Sequence, residues 1–279
     1  MKKVKLILRH VFLAFLAFIW LIPIFWLFVT SLSGYKGINT LSFFPQKWTL
    51  DNYHQLFLRP DTVANFPAWF KNSMIIGVFT CLISTFFVLM VAYAMSCMRF
   101  KGRKKLMSFA IILGMFPGVL SMIAVYFVMK LIGLTNSIAG LIIIYSAGSG
   151  LGYLICKGFF DTIPISLRES ARLEGASELT IFTRIVIPLS KPIIVYTVIN
   201  SFLAPWMDFV MARLMIRSKN PVDWTVAMGL YNLVQRTLVG KYFSLFCAGG
   251  VIVAIPISVL FVIMQKFYVE GITGGAVKG

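Results

Sequence analysis

Apolar residues along this chain are gathered into six long runs, and each run is bounded by polar or charged residues. The runs lie at about Val11–Ser31, Ser73–Ser96, Leu106–Met129, Ile138–Cys156, Ile193–Met215 and Ser244–Phe267. A helix needs roughly 20 mainly apolar residues to cross the hydrocarbon core of a bilayer, and each run is close to that length. The pattern therefore predicts an all-α, polytopic membrane protein with six transmembrane helices, organised as one domain over residues 1–279.

The composition supports the same protein class. Apolar residues make up 59% of the chain, charged residues only 13%, and the mean hydropathy is +0.89. A soluble domain has roughly 45–50% apolar and about 25% charged residues, so this chain has too few charges to cover a surface in water. The net charge of +17 comes from bases beside apolar runs, where they suit an anionic membrane surface rather than nucleic acid.

The basic residues also predict the orientation in the membrane. Arg99–Lys105 carries five Lys and Arg residues in seven positions, and such a segment is costly to translocate. It lies between the second and third runs, so an even number of spans puts both termini on its side. We therefore predict an N-in, C-in arrangement with cytoplasmic segments at about 160–192 and 271–279. The segments at about 34–72 and 217–243 are then external.

Aromatic residues are frequent in the two external segments, among them Trp48, Trp69 and Trp224. Trp and Tyr are enriched at both membrane–water interfaces, where they act as anchors. The same residues would also suit a docking surface for an outside partner. The sequence leaves these two interpretations open.

The residue types needed for catalysis or metal binding are scarce. The chain has four Cys and two His, without a Cys-x-x-Cys spacing, and the Cys residues fall in or at the ends of apolar runs. No nucleophile–base set for a hydrolase and no phosphate loop of the G-x-x-x-x-G-K-[ST] form occurs. We therefore expect no catalytic residue, no metal site and no cofactor bound by this chain.

A polar stretch separates the fourth and fifth runs. Ser166 and Glu169 have the spacing of a capping box, which predicts a short helix over Leu167–Glu174. Gly175 is expected to end this helix because glycine tolerates positive φ.

A second helix is predicted directly after the first. Ser177 is placed to cap a helix from Glu178 onward, and Pro188 and Pro192 are expected to break the chain before the fifth run. The prediction is a helix–turn–helix across the cytoplasmic mouth. An amphipathic surface helix without a partner is the open alternative.

Asp208 is the only acid inside any apolar run. A charged group at membrane depth costs roughly 2.5–3.5 kcal/mol, so such residues commonly mark functional or interior positions. Thr197, Asn200, Ala204 and Asp208 are spaced to share one helix face, and Pro205 is expected to kink the span. This face would line a path for a polyhydroxylated solute, together with the adjacent Trp206 and Phe209. Alternatively, Asp208 pairs with a neighbour in helix packing and contacts no solute.

The third run is interrupted near its middle. Pro117 and Gly118 predict a bend there, since proline removes a backbone hydrogen bond and glycine tolerates unusual conformations. Both a packing kink and a gating role fit the sequence.

The loop around Glu169 resembles the EAA loop through which ABC importer permeases contact their ATPase. The matching residues are Glu169, Ala171, Gly175, Ile187 and Pro188. Ser170 stands where the family favours Ala, and Glu174 where Asp is frequent. Further likeness lies at 92–100, 114–120 and 206–209, and resembles the smaller permease of carbohydrate-uptake importers, closest to the maltose/maltodextrin type. The tail at 271–279 is similar to that subtype's terminal peptide.

This resemblance implies a type I ABC importer permease and names the residues that would serve each contact. The ATPase-coupling residues would be Glu169, Ser170, Ala171, Glu174, Gly175, Ala176 and Pro188 in the loop, with Gly274, Gly275 and Lys278 in the tail. The path residues would be Asn200, Ala204, Trp206, Asp208 and Phe209. The contacts with an external binding protein would be Tyr231, Asn232, Gln235 and Gly240.

The resemblance also implies partners. They are a second permease subunit forming a heterodimer, two ATP-binding subunits carrying ATP and Mg, and an extracytoplasmic sugar-binding protein. The chain itself would be a non-enzymatic, multi-pass protein of the bacterial cytoplasmic membrane that imports maltose/maltodextrin-type oligosaccharides by alternating access.

Three other functions are alternatives. The first is the same importer role for another oligosaccharide or a glycerol-phosphate-type solute. An autonomous secondary transporter is disfavoured because such proteins often carry several intramembrane acids, and a membrane-embedded enzyme because its catalytic groups are missing.

Overall fold

The computed structural model describes residues 2–38, 42–58, 63–147 and 152–276. The helices are α1 (Lys2–Ser31), α2 (Asp51–Leu58), α3 (Phe66–Cys97), α4 (Arg103–Gly114), α5 (Gly118–Leu131), α6 (Ile138–Ala147), α7 (Gly152–Phe160), α8 (Ile165–Leu173), α9 (Glu178–Ile181), α10 (Ile187–Leu189), α11 (Lys191–Met207), α12 (Val210–Met215), α13 (Val226–Leu233) and α14 (Val239–Ala276). A π-helical turn at Phe182–Val186 and a 3₁₀ turn at Pro221–Asp223 complete them. The all-α prediction is confirmed for the described residues, in which only an isolated bridge between Ser33 and Trp48 is of β type.

The helices that are long and apolar enough to cross a membrane fall into two groups. Three are uninterrupted, namely Val4–Ser31, Phe66–Cys97 and Val239–Lys266. Three others are pairs of shorter helices, so the described residues contain up to six spans if each pair is one span. The pairs are Arg103–Gly114 with Gly118–Leu131, Ile138–Ala147 with Gly152–Phe160, and Glu178–Leu189 with Lys191–Met207.

The third apolar run bends far more sharply than a simple kink. α4 and α5 meet at 102° across Met115–Pro117. The predicted bend at Pro117 and Gly118 is therefore confirmed. Its sharpness means that the run forms two helices of about 18 and 21 Å at 1.5 Å per residue, each shorter than a bilayer core of ~30 Å.

The fifth run is interrupted after Met207. α11 continues through Pro205 to Met207, and the chain leaves the helix at Asp208 and Phe209. The Asp208 carboxylate accepts the backbone N–H of Met211 at 3.0 Å, which starts a new helical segment. The kink expected at Pro205, inside α11, stays a prediction.

The chain divides into two compact units. The first comprises Met1–Phe70 and Asn220–Pro256, and the second Lys71–Lys219 and Ile257–Gly279. Each is described by itself, and the prediction of one permease domain over the whole chain stays a prediction.

The first unit is organised around Trp69, whose side chain is fully buried. The indole Nε1 donates a hydrogen bond to the Pro221 carbonyl at 2.7 Å, and the ring stacks on Trp224 with centroids 6.2 Å apart. Both predicted external segments therefore pack together within this unit. Trp69 is a core residue, so neither the anchor nor the docking interpretation applies to it, whereas Trp48 is 55% exposed.

A second set of polar contacts fixes α2 against the end of α1. The Asn52 side-chain amide donates to the carbonyls of Ser31 and Ser33 at 2.9 and 2.8 Å. The hydroxyls of Ser31 and Tyr53 lie 2.7 Å apart. These contacts satisfy carbonyls that a helix C-terminus leaves without helical partners.

The second unit has an apolar core where α3, α7 and the segment before α11 meet. Its buried members are Val88, Leu89, Ala92, Tyr93, Met95, Cys97, Tyr153, Cys156, Phe160, Ile163, Ile181, Val186 and Ile193. The core places the polar loop that follows α7 against the C-terminal part of α3.

The close approach of Gly229 to Trp69 makes a testable packing constraint. A Cβ at Gly229 would lie 2.1 Å from ring atoms of Trp69, whereas a Cβ at Gly158 in α7 would have no heavy atom within 4 Å. We expect Gly229→Ala to lower the free energy of unfolding by about 1–3 kcal/mol through overpacking. The matched Gly158→Ala should be neutral or stabilising by about 0.5–1 kcal/mol, because alanine suits a helix better. Unfolding of both variants in detergent measures this, and equal midpoints would contradict it.

Candidate functional site

The polar loop after α7 begins with a helix of nine residues, or about two and a half turns. α8 starts at Ile165, with Pro164 as the preceding residue and no side-chain cap hydrogen bond. The predicted capping box of Ser166 and Glu169 is therefore wrong, since Ser166 lies inside the helix. Pro164 already has the extended ψ of 127° that precedes a helix, so the helix begins earlier than Leu167.

The end of α8 agrees with the prediction. Gly175 has φ of +82°, the left-handed conformation that glycine tolerates best. The N–H of Ala176 donates to the Ala171 carbonyl at 2.9 Å, and the N–H of Gly175 to the Arg172 carbonyl at 3.0 Å. This pair of bonds is a Schellman motif, which satisfies the last carbonyls of the helix.

The second helix of the loop begins as predicted and ends differently. The Ser177 hydroxyl accepts the N–H of Thr180 at 3.2 Å and caps α9. Pro188 does not break the chain, because it lies inside α10 after a π-helical turn. The chain instead turns by 85° between Leu189 and Lys191, with Pro192 in the first turn of α11. Pro192 is tolerated there because first-turn N–H groups have no helical acceptor.

The exposed side of the loop carries most of the predicted coupling residues. Glu169, Ser170, Glu174, Gly175 and Pro188 are exposed, while Ala171 and Ala176 are partly buried against the core of the second unit.

Two further loop residues were missed by the sequence reasoning. Leu173 is 90% exposed, one turn after Glu169. The sequence did contain a signal for Leu173, since it is an apolar residue surrounded by polar residues at the end of a short helix. Arg168 is 7% exposed despite its charge, and no sequence signal distinguished it from its solvated neighbours.

A carboxylate joins the loop to α3. Glu178 accepts the Arg172 Nε at 2.8 Å with one oxygen and the Tyr93 hydroxyl at 2.7 Å with the other. The Glu178 carboxylate raises the pKa of Arg172 above its ordinary value, so this guanidinium stays charged.

A second carboxylate lies beside the end of α3. Asp161 accepts the Ser96 hydroxyl at 2.6 Å and pairs with Lys157 of α7. Burial opposes ionisation of Asp161, but the hydrogen bonds from Lys157 and Ser96 outweigh it and lower the pKa. Because a depressed pKa stabilises the folded state only while the acid is ionised, this contribution is lost as the pH falls through that lowered pKa.

A cavity of about 870 Å³ lies within the second unit. The predicted polar stripe of Thr197, Asn200, Ala204 and Asp208 lines one wall. The other walls include Thr80 and Ser84 of α3, Gly118, Ser121 and Met122 of α5, and Tyr145 of α6. The stripe therefore faces a cavity, and its role in lining a solute path stays a prediction.

Trp206 and Phe209 are not brought into this wall. Neither is among the described residues that line the cavity. Trp206 is 4% exposed and packs against Phe202 with ring centroids 5.8 Å apart. Its Nε1 lies only 2.8 Å from where a Cβ at Gly77 would be. The missing side chain of Gly77 thus opens a slot on α3 that takes the indole away from the cavity.

Asp208 pairs with a neighbour in its own chain and also lies on the cavity wall, and its contact with a solute stays a prediction. Its carboxylate caps the start of α12 through the N–H of Met211, and the residue also lines the cavity. Among the described lining residues there is no Lys, Arg or His, and Asp208 is the only acid. The wall therefore offers hydroxyl, amide and carboxylate groups, which suit a solute rich in hydroxyl groups.

The residues predicted to meet a binding protein lie close together in the first unit. Tyr231 and Asn232 are in α13, Gln235 is in the following turn, and Gly240 is in the first turn of α14. The Gln235 carbonyl accepts the N–H groups of Leu238 and Val239 at 2.8 and 2.9 Å and closes the turn. The Tyr231 side chain is 49% exposed.

The predicted ATPase-contacting tail is described only in part. The α14 backbone is helical to Ala276 and includes Gly274 and Gly275. Lys278 lies outside the described residues. Among the described residues, no group of three or more His, Cys, Asp or Glu could hold a metal ion.

Comparison with known proteins places these features in a family. The family model for the binding-protein-dependent transport system inner membrane component matches residues 90–273. The galactooligosaccharides transport system permease protein GanQ of Bacillus subtilis (strain 168) is 35% identical over 277 residues, covering 99% of this chain and 96% of that protein. The maltodextrin transport system permease protein MdxG of the same organism is 34% identical over 277 residues, with 98% and 96% covered.

The fold is also similar to solved structures. A crystal structure of a bacterial ABC transporter involved in the import of the acidic polysaccharide alginate matches with a TM-score of 0.75 and 23% identity, covering 95% of this chain and 97% of that chain. A bacterial alginate ABC transporter in complex with an alginate pentasaccharide-bound periplasmic protein matches with a TM-score of 0.69 and 16% identity, with 95% of each chain covered.

The cap formed by Asp208 predicts different effects of two substitutions. Asp208→Asn keeps an oxygen that accepts the Met211 N–H, whereas Asp208→Ala removes it. We expect alanine to lower the free energy of unfolding by about 1 kcal/mol, and asparagine to change it by only a few tenths. Thermal unfolding in detergent provides the measurement. If alanine left the midpoint unchanged, the capping role would be wrong.

Proposed function

This chain belongs to the family of binding-protein-dependent transport system inner membrane components and is a sugar permease of the ABC transporter type, and from this premise we propose that it imports a neutral oligosaccharide. The first proposed substrate class is maltodextrin, and galactooligosaccharide is the second because GanQ is as similar as MdxG. The resemblance carried by the loop around Glu169 is confirmed by the family match. Like its relatives, the chain is a permease subunit and not an enzyme.

The polar stripe on the cavity wall is the observation that carries the proposal. Thr197, Asn200 and Asp208 present hydrogen-bonding groups to the cavity, and its described lining has no cationic side chain. A uronate or a glycerol-phosphate-type anion would meet the Asp208 carboxylate without a compensating base among the described lining residues. Buried charges need a partner, so the lining favours a neutral solute over an anionic one.

We also propose the arrangement in the membrane. Each bent helix pair counts as one span, which gives six spans with both termini and the segment at about 160–192 in the cytoplasm. The five bases of Arg99–Lys105 support this orientation. The membrane is the bacterial cytoplasmic membrane.

Coupling to ATP hydrolysis is assigned to the outer side of α8. Glu169, Leu173, Glu174 and Gly175 form an exposed surface that suits a cleft on an ATP-binding subunit. The resemblance adds Ser170, Ala171, Ala176 and Pro188 in the loop and Gly274, Gly275 and Lys278 in the tail. In this mechanism two partner subunits bind ATP and Mg, and their closure moves α8 as a lever.

Two further partners complete the importer. An extracytoplasmic sugar-binding protein docks on the segment around Tyr231, Asn232, Gln235 and Gly240. A second permease subunit forms a heterodimer with this chain and closes the path. The exposed apolar side chains of α4, of α5 and of the break between them support a protein partner or lipid along this part of the chain. They include Phe109, Ile112, Phe116, Leu120 and Phe127.

Reconstitution of the full importer tests this proposal. We would co-purify this chain with a partner permease, the ATPase and the binding protein, and measure ATPase activity with maltodextrin-, galactooligosaccharide- or alginate-loaded binding protein. We expect stimulation by a neutral oligosaccharide, and its loss in Gly175→Asp because a side chain at φ of +82° distorts the end of α8. Stimulation only by the anionic polymer would overturn the neutral class. Failure to assemble with any ATPase would overturn the importer assignment.

Transport by Asp208 variants tests the role of the cavity wall. Asp208→Asn keeps the cap and removes the charge, so a change in transport reports on the solute path rather than on folding. We expect uptake of the neutral sugar to fall about three- to tenfold, as for loss of one hydrogen bond to a charged group. Uptake should be measured in proteoliposomes at matched protein amounts. Unchanged uptake in both Asp208→Asn and Asp208→Ala, with normal assembly, would remove Asp208 from the path.

A further inference from the structure

Glu178 stands where three elements of the second unit meet. It is the first residue of α9, and its carboxylate bonds to Arg172 of α8 through one oxygen and to Tyr93 of α3 through the other. The Tyr93 hydroxyl also lies 3.3 Å from the Glu178 carbonyl. One acid therefore connects the short helix before Gly175 to a long helix that is far from it in sequence.

The Tyr93 end of this connection is held firmly. Tyr93 is 6% exposed, and its ring packs against Phe182 with centroids 4.9 Å apart. The other end is open, because the side chains of Arg172 and Glu178 are 40% and 41% exposed. The contact is thus anchored in the core on the α3 side and faces outward on the α8 side.

The same helix carries the contact towards the cavity. Ser84 lines the cavity on α3 and accepts a hydrogen bond from Ser201 of α11 at 3.2 Å. Ser84 and Tyr93 are separated by about 14 Å along one uninterrupted helix at 1.5 Å per residue. A rigid helix of this length transmits a displacement at Tyr93 to the cavity wall.

We propose that Glu178 is a positioning residue that ties α8 to α3, so that movement of α8 by the ATPase reaches the cavity through the Glu178–Tyr93 hydrogen bond. The inference rests on the proposed importer function. It assigns to Arg172, Glu178 and Tyr93 a transmitting role, whereas Glu169 and Leu173 contact the ATPase itself.

A second carboxylate on α3 provides a matched control. Asp161 accepts the Ser96 hydroxyl and pairs with Lys157, so it too joins α3 to a base on another helix. Its partner helix is α7, and among the described residues the side chain of Asp161 bonds to Ser96 and Lys157 and not to α8. A substitution there removes a similar bond without touching the proposed connection.

The test compares Tyr93→Phe, Glu178→Ala, the double variant and Asp161→Ala in the co-purified importer. We expect assembly in normal proportions, with stimulation of ATPase activity by sugar-loaded binding protein lowered about three- to tenfold in both single variants. Sugar uptake should fall by the same factor. The double variant should be no weaker than the weaker single variant, because each single substitution already removes the hydrogen bond between the Tyr93 hydroxyl and the Glu178 carboxylate. Asp161→Ala should keep wild-type stimulation.

The outcomes separate this inference from the proposed function. Wild-type stimulation in Tyr93→Phe and Glu178→Ala would overturn the positioning role while leaving the importer intact. Additive losses, an equal loss in Asp161→Ala, or failure of Tyr93→Phe to assemble would also overturn it, since the contact would then only hold the fold. A wild-type complex without any stimulation would reject the importer function, and the inference would fall with it.

Discussion

When an apolar helix is interrupted inside a membrane, nearby groups of the same chain must form hydrogen bonds with the backbone groups that the break exposes. This constraint determines where polar groups are needed within the apolar runs. Lipid offers no hydrogen bonds to a free N–H or carbonyl. At the α4–α5 break, Met115 and Phe116 donate back to carbonyls of α4, and Pro117 has no N–H to satisfy. At the α11–α12 break, the Asp208 carboxylate serves the same need for Met211. Each break is therefore a place where a polar group is already required.

The breaks and the cavity coincide. Gly118 at the start of α5 lines the cavity, as does Asp208 between α11 and α12. Ala147 at the end of α6 and Gly152 at the start of α7 line it as well. Helix ends have backbone groups without helical partners, and their backbone angles can change. In the middle of an uninterrupted helix, the backbone groups are paired and the backbone angles are fixed. The described helix ends at these three breaks therefore contribute to the cavity lining.

The sequence predicted the features that depend on local chemistry. The apolar runs, the left-handed Gly175, the Ser177 cap and the stripe from Thr197 to Asp208 follow from residue type and spacing alone. The features that were mispredicted depend on competition between neighbours. Pro164 starts α8 earlier and displaces the capping box at Ser166, and Pro188 lies inside α10 instead of breaking the chain.

The orientation of large aromatic side chains was the least predictable property. Trp206 turns away from the cavity because Gly77, more than a hundred residues earlier, leaves room for its indole. Trp69 is buried because Gly229 leaves space for its ring and the Pro221 carbonyl accepts a hydrogen bond from its indole N–H. Such pairs of a tryptophan and a distant glycine carry no signal in a single sequence. They become visible only when the helices are packed together.

Overall similarity and the chemistry of the cavity wall carry different information about a bound solute. Two relatives with nearly equal identity, 35% and 34%, are permeases for galactooligosaccharides and for maltodextrin, so overall similarity does not separate neutral sugars. An unpaired charge that loses its hydration is penalised by several kcal/mol, so a lining whose only described charged residue is Asp208 disfavours an anion more than a neutral molecule. Neutral sugars differ in the positions of hydroxyl groups, and rejecting one of them requires a buried hydrogen-bonding group that is left without a partner. Asn200 and Thr197 bond within their own helix, to the carbonyls of Tyr196 and Ile193, so only their remaining hydrogen-bonding capacity faces the cavity. The described lining is therefore better suited to separating charged from neutral molecules than to separating one neutral sugar from another.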